Sequence, residues 1–226
     1  MLRERGERPY PSTLRCVLLG GGPVPLPLLE RAMALGVPVV QTYGLTETSS
    51  QIATLSPEDA LSKVGSAGKA LMGSKLRIEP GGEIWVCGPS VSPGYLNAPL
   101  RADDWLRTGD LGYLDAEGYL FVLDRRDDLI VSGGENVYPA EVEATLLMHA
   151  AVSEAGVIGV PDPEWGRSVA AVVVVVPGQH VTAEELVAFC RGRLAGYKVP
   201  RHITFAEALP RNAAGKLLRR NLRSEG

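Results

Sequence analysis

The residues best suited to chemistry lie in short polar clusters spread along the chain. In residues 41–48 (QTYGLTET), Tyr43, Gly44, Thr46 and Glu47 crowd hydroxyls, bare backbone and a carboxylate into five positions at the end of a strand-like run. Such a grouping suits a phosphate and its metal: a hydroxyl donates to a phosphate oxygen, and a carboxylate holds Mg2+ directly or through water. A capped strand-to-loop turn uses the same residue types. In residues 106–111 (LRTGDL), Asp110 follows a glycine, where its carboxylate either accepts hydrogen bonds from a ribose diol or closes a turn. Gly20, Gly21, Gly22 and Pro23 follow an apolar run and precede a helical one, a place where backbone N–H groups and a helix dipole meet phosphates. A dinucleotide fingerprint needs glycine where Pro25 stands, and a Walker loop ends in Gly-Lys-Ser/Thr, so a tight structural turn stays open.

Two further clusters lie in the second half. Residues 123–143 (LDRRDDLIVSGGENVYPAEVE) combine paired charges, a flexible turn at Ser132, Gly133 and Gly134, and a helix start. The glycines permit close approach of an elongated ligand, and an arginine there can reach a ribose or phosphate; a linker, a turn and a capped helix is the plainer reading. Residues 209–219 (LPRNAAGKLLR) set Lys216 after a glycine in a polar loop, with Arg211 and Arg219 nearby. A loop lysine can stabilise charge on a transferring phosphoryl group and be moved in or out with its domain. Most surface lysines are simply solvated.

These clusters need elements to position them. From Leu14 the pattern gives a buried strand (LRCVLL), a glycine turn, a helix over Leu26 to Leu35 stopped by Gly36, and a second strand (VPVVQTY), a βαβ-like unit that resembles an entry into the middle of a larger sheet. From about Gly68 to Leu123, short alternating segments (KLRIE, EIWVCG, GYLFVLD) between Gly, Pro, Asn and Asp clusters indicate a small antiparallel sheet or barrel. After residues 124–128, all five of them charged, the pattern becomes α+β: a helix opens at Pro139 and a valine-rich strand covers Ala170 to Val176. A second helix follows, where Thr182 and Glu185 have capping-box spacing. The expected organisation is residues 1–124 as one domain, with a βαβ-like part over 1–67 and a β-rich subdomain over 68–124, and residues 125–226 as a second domain.

Composition narrows the function classes. With 226 residues, 45% apolar, 22% charged and net charge -3, the chain is an ordinary globular one, and no Lys/Arg run suggests nucleic acid or an anionic membrane as partner. Cys16, Cys87 and Cys190, with His149, His180 and His202, stand singly, without the spacing of a zinc site or disulfide framework. The longest apolar run, Val169 to Pro177, is too short to span a bilayer, and the first residues are charged. A cytoplasmic location is expected.

Taken in order, the five clusters resemble the adenylate-forming superfamily of acyl-CoA synthetases, luciferases and peptide-synthetase adenylation domains, over essentially the whole chain. The resemblance implies an α/β fold: the last part of a large sheet domain, a β-rich subdomain and a small mobile α+β domain. It implies an acid:CoA ligase using a small-molecule carboxylic acid, ATP, Mg2+ and coenzyme A, which forms an acyl-adenylate and then a thioester. Carried over by motif, Thr46 contacts nucleotide phosphate, Glu47 holds Mg2+, Asp110 binds the ribose hydroxyls and Arg125 assists there. Gly20, Gly21, Gly22, Tyr43 and Gly44 line the nucleotide, Asp127 is the hinge, and Lys216 bridges carboxylate and phosphate oxygens during adenylation. Ser132, Gly133 and Gly134 border the pantetheine channel.

Residues 41–71 and 123–166 look closest to the ligases that act on 2-succinylbenzoate in menaquinone synthesis, with Ser49, Ser50 and Gln51 as polar walls of the acyl pocket. The family's TSGTTG-like phosphate loop is not in this sequence, nor is the large amino-terminal part. The expectation is a fragment that alone does not adenylate, and whose incomplete sheet favours self-association or the missing amino-terminal half. Ligases for other aromatic or fatty acids, and a non-catalytic module completed by a partner chain, are the alternatives.

Overall fold

Apolar residues alternate in strands such as EIWVC and run unbroken in the valine-rich segment, and the computed structural model buries them accordingly. It describes residue 8 and residues 10–22, 24–96, 103–213 and 215–224; Pro23, part of the first glycine turn, lies outside the described residues. The chain divides into two compact units, Met1–Leu123 and Asp124–Gly226.

In the first unit, β1 (Val17–Leu19) and β2 (Val39–Leu45) run parallel, with Val17 opposite Val39, and helix α1 (Leu26–Ala34) connects them. Pro27 fits the first turn of α1, where its missing N–H loses nothing. At the other end Gly36 has φ +68°, and the N–H groups of Gly36 and Val37 close on the carbonyls of Met33 and Ala32, both at 2.9 Å. That left-handed glycine ends the helix. β2 then turns back into β3 (Ser50–Thr54), which pairs with the short β4 (Lys69–Ala70), giving the order β1-β2-β3-β4. β5 (Lys75–Ile78), β6 (Glu83–Cys87), β7 (Leu106–Leu114) and β8 (Leu120–Arg125) form a second sheet in sequence order. Ile52 and Ala53 of the first sheet bury against Ile84, Val86 and Leu120 of the second.

One expectation changes. Residues 106–111 are not a turn but the start of β7, a nine-residue strand. Pairing shifts between Glu83↔Leu111 and Trp85↔Arg107, so β7 spends four steps where β6 spends two; Gly109, at φ +72°, supplies the bend of this bulge. The bulge breaks the alternation that a strand would show in sequence. Ser50 and Gln51, expected as polar pocket walls, lie at the start of β3.

The second unit places β9 (Ile130–Ser132) and β10 (Glu135–Val137) in a hairpin, followed by α2 (Pro139–Leu147), the long antiparallel pair β11 (Val152–Asp162) and β12 (Gly166–Val175), α3 (Ala183–Arg191) and β13 (His202–Phe205), parallel to β12. Thr182 and Glu185 form the capping box, with the Glu185 N–H donating to the Thr182 hydroxyl at 3.2 Å and the Thr182 N–H to the Glu185 carboxylate at 2.8 Å. Val157, Val169, Ala171 and Val173 pack with Val142, Leu146, Leu186 and Cys190 of α2 and α3. On the opposite face Ile158, Ala170 and Val172 are covered by Leu209 and Leu222. Burial on both faces explains the unbroken valine run in β12.

Backbone closeness tests this architecture. A Cβ on Gly68 would fall 1.9 Å from the Thr54 carbonyl carbon, whereas one on Gly81 would meet nothing within 4 Å; both residues have positive φ. Gly81→Ala is expected to cost only the left-handed conformation, about 1–2 kcal/mol, and Gly68→Ala at least about 3 kcal/mol. Denaturant unfolding of the two variants checks the difference; equal losses would mean that β3 and the Gly68 turn are not in contact.

Candidate active site

β2 delivers the first group of functional side chains because its end is pinned from two sides. A Cβ on Gly44 would lie 2.0 Å from the Ser50 carbonyl oxygen, so only glycine lets β3 approach this closely. The Tyr43 hydroxyl donates to Asp110 Oδ2 at 2.8 Å, across 67 residues of sequence. Asp110 is buried to 7% exposure and is aimed by the β7 bulge: its own N–H reaches the Thr108 hydroxyl at 3.1 Å, and that hydroxyl donates to the Ile84 carbonyl at 2.8 Å. Gly20, at the end of β1, lies against this group, since its Cβ would meet Thr42 Cγ2 at 2.6 Å. Gly21 and Gly22 extend beyond with open space around them, Gly21 at φ +85°.

Beyond β2 the chain makes one 3-10 turn, Thr46–Thr48. Thr48 is buried and serves as its internal brace: it receives the Leu45 N–H and donates toward the Leu45 and Ser50 carbonyls. Thr46 is exposed and Glu47 half-buried. Ser49 at φ 59° and Ser50 at φ 148° follow, both in the region that L side chains avoid, and the Ser49 hydroxyl donates to the Ser90 carbonyl at 2.9 Å. Strain of this kind concentrates at ligand sites. Gln51 is exposed and accepts from the Thr42 hydroxyl at 3.2 Å. Tyr95, which the sequence reading passed over, donates its hydroxyl to Glu47, and that acceptor pushes the Tyr95 phenol upward from its ordinary range. No local pattern marks this pair, because 48 residues separate its members.

The second unit holds the remaining candidates. Arg125 ends β8, and Asp127 lies exposed in a 3-10 turn, Arg126–Asp128. The segment is thus ordered structure rather than an open linker. Ser132 is buried, and Gly133 and Gly134, at φ 58° and 87°, close a two-residue hairpin between β9 and β10, the geometry of a type I′ turn. A Cβ on Gly133 would strike the Trp165 ring at 2.4 Å, and the Gly133 N–H donates to the Trp165 carbonyl at 3.0 Å. Lys216 is exposed in a turn closed by Asn212, whose side-chain oxygen takes the Lys216 N–H at 2.9 Å.

The first unit therefore brings together Gly20, Tyr43, Gly44 and Asp110, with the Thr46–Gln51 segment beside them; Arg125, Asp127, residues 132–134 and Lys216 share the other unit. Among the described residues no group of three or more His, Cys, Asp or Glu side chains is placed to hold a metal ion. A magnesium ion on Glu47 would draw its other ligands from nucleotide phosphate and water, the usual Mg2+ arrangement. Among the described residues no helix is long and apolar enough to cross a membrane.

Residues 1–96 match the family model for AMP-binding enzymes, and residues 141–216 match that for the AMP-binding enzyme C-terminal domain. A 2-succinylbenzoate–CoA ligase of Geobacillus sp. (strain WCH70) is 56% identical over 99% of this chain and 48% of its own length. The structure of o-succinylbenzoate CoA synthetase from Bacillus subtilis in complex with the acyl-adenylate intermediate OSB-AMP superposes with TM-score 0.91 at 50% identity, covering 100% of this chain and 49% of that one. The same enzyme in complex with ATP and magnesium ion gives TM-score 0.86 at 51% identity, over 96% and 48%. The chain spans about half the length of the curated relatives it matches.

The Tyr43–Asp110 bond generates a direct test. Tyr43→Phe removes a donor to a buried carboxylate, and an expected loss of about 1–3 kcal/mol in the unfolding of the first unit is measurable by denaturant titration. A change below about 0.5 kcal/mol, the scale of a surface substitution, would show that the pair does not brace Asp110.

Proposed function

The chain belongs to the AMP-binding enzyme family, and from that premise we propose that it is the carboxy-terminal half of an ATP-dependent acid:CoA ligase acting on 2-succinylbenzoate, in menaquinone synthesis in the cytoplasm. The observation that carries the reading is the convergence of the Gly20 turn, the Tyr43–Asp110 pair and the strained Thr46–Gln51 segment in one unit. These are the parts a bound adenylate needs.

In this reading Asp110, held by Tyr43, accepts the ribose hydroxyls; Arg125 assists there. Gly20 to Gly22 and Gly44 offer bare backbone to the nucleotide, Thr46 donates to a phosphate oxygen, and Glu47 holds the magnesium that arrives with ATP once Tyr95 yields. A substrate carboxylate oxygen attacks the α-phosphorus and pyrophosphate leaves, giving the acyl-adenylate; Lys216 bridges the carboxylate and phosphate oxygens as charge develops. The sulfur of coenzyme A, entering past Ser132, Gly133 and Gly134, then displaces AMP at the acyl carbon. Asp127 is the hinge about which the second unit changes between the two steps. Ser49, Ser50 and Gln51 present polar groups suited to the extra oxygen functions of 2-succinylbenzoate. The likeness to 2-succinylbenzoate–CoA ligases and the ATP, magnesium and acyl-adenylate bound to the Bacillus subtilis enzyme support this reading.

The test joins this chain to the amino-terminal half of the Bacillus subtilis enzyme and measures thioester formation on 2-succinylbenzoate, benzoates and fatty acids. Preference for 2-succinylbenzoate is expected; its absence sinks the substrate assignment. In the same enzyme Lys216→Ala should slow pyrophosphate release by about 10²–10³-fold, the scale for losing one charge-stabilising donor, and leave thioester formation from supplied acyl-adenylate far less affected. The chain alone, lacking the Ser/Thr/Gly-rich phosphate loop, is expected to release no pyrophosphate.

A further inference from the structure

Arg219 is a cation with only 12% of its side chain exposed, and it gathers carboxylates from three places in the second unit. Its Nε and Nη2 fork onto Glu143 of α2, at 3.1 and 2.8 Å, while Nη1 donates to Asp128 Oδ2 at 3.0 Å and lies 3.8 Å from Asp124 Oδ1. Each carboxylate is tied further. Asp124 accepts the N–H groups of Arg125 and Ala140, both at 2.8 Å, and Glu143 accepts that of Val157 at 2.8 Å. Asp124 and Asp128 bracket the turn that carries Asp127, so one guanidinium grips both ends of that turn.

Three residues before Arg219 stands Lys216, whose turn is itself fastened. Asn212 N–H donates to the Lys216 carbonyl and Gly215 N–H to the Asn212 carbonyl, both at 2.9 Å; Arg211 Nη1 donates to the Gly215 carbonyl at 2.8 Å, and Leu218 N–H to the Pro210 carbonyl at 2.9 Å. Beyond this closed turn the chain leads directly into the buried arginine. Burial raises the carboxyls of Asp124 and Glu143, Arg219 pulls both back, and the same carboxylates raise Arg219 against the burial that opposes its charge. Apolar side chains of like volume would often hold a core as well as such an ion cluster. What the cluster adds is direction: the planar fork fixes where the guanidinium, and the backbone behind it, must sit.

We infer that Arg219 is a positioning residue that locks the Lys216 turn to the Asp124–Asp128 segment, so that the lysine and the hinge move as one rigid piece. The inference rests on the reading of Lys216 and Asp127 given under Proposed function. A merely structural ion cluster would support the whole unit evenly. A positioning one acts on the lysine, hence on adenylation and not on thioester formation.

The test uses Asp128→Asn, which keeps the Glu143 fork and the fold, beside Arg219→Gln. In the joined enzyme, Asp128→Asn is expected to lower the kcat of adenylation by about tenfold and Arg219→Gln by about 100-fold, the scale for small misplacements of a reacting group. KM for ATP and the rate of thioester formation from supplied acyl-adenylate should stay within about twofold, an effect well below one tenfold step. In the chain itself, amide hydrogen exchange should quicken at residues 211–217 and 124–128 and stay unchanged in β11 and β12. Equal losses in both half-reactions, quickened exchange throughout β11 and β12, or no change in either variant overturns the inference. Should Arg219→Gln fail to fold, Asp128→Asn decides alone. Lys216→Ala with undiminished adenylation would instead overturn the underlying reading, and the exchange pattern would still report whether the cluster fastens the turn.

Discussion

A positive charge enclosed by three carboxylates, Arg219 with Asp124, Asp128 and Glu143, is the constraint on which the second unit turns. Removing the arginine leaves the carboxylates of Asp124 and Glu143 buried without their cation, which costs several kcal/mol in comparable sites. The cluster therefore ties together, within the second unit, Asp124, the start of α2 through Ala140, the edge of β11 through Val157 and the 3-10 turn that Arg219 opens. The apolar layers on either face of β11 and β12 supply most of the burial. They are non-directional, and the ion cluster adds directed contacts to them.

The first unit solves a different problem, that of aiming polar groups at a strand end. Two devices serve. The β7 bulge swings Asp110 to where Tyr43 can reach it, and glycine at position 44 lets β3 come within contact of β2. The strained Ser49 and Ser50 follow at once. A serine pair held off its preferred backbone, beside a buried carboxylate that Tyr43 helps to aim, is an arrangement of the kind that concentrates at ligand sites.

Much of the skeleton was legible in the sequence. The β1-α1-β2 unit, the helix at Pro139, the Thr182–Glu185 capping box and the valine strand all announce themselves through local chemistry, and the AMP-binding family and its α/β fold followed from ordered motifs. What escaped was non-local or irregular. β7 contains two glycines and a bulge, so its alternation is broken; β11 carries Gly156, Gly159 and Pro161, which read as loop residues. Gly156 is in fact required by Leu222 packing on it, at 2.7 Å from its would-be Cβ. The Glu47–Tyr95 and Arg219–Glu143 partnerships span 48 and 76 residues, and only folding reveals them. Ser132, read as part of a flexible turn, is buried in a tight hairpin because Gly133 must pass beneath Trp165.

The measurement that bears most directly on the central claim is a single-turnover experiment on this chain joined to a relative's amino-terminal half, with ATP, Mg2+ and 2-succinylbenzoate and without coenzyme A. Mass spectrometry of the quenched mixture is predicted to show one equivalent of 2-succinylbenzoyl-adenylate per enzyme, which disappears into thioester and AMP when coenzyme A is added. A folded enzyme that forms no adenylate, or releases pyrophosphate without regard to the acid, would contradict the account.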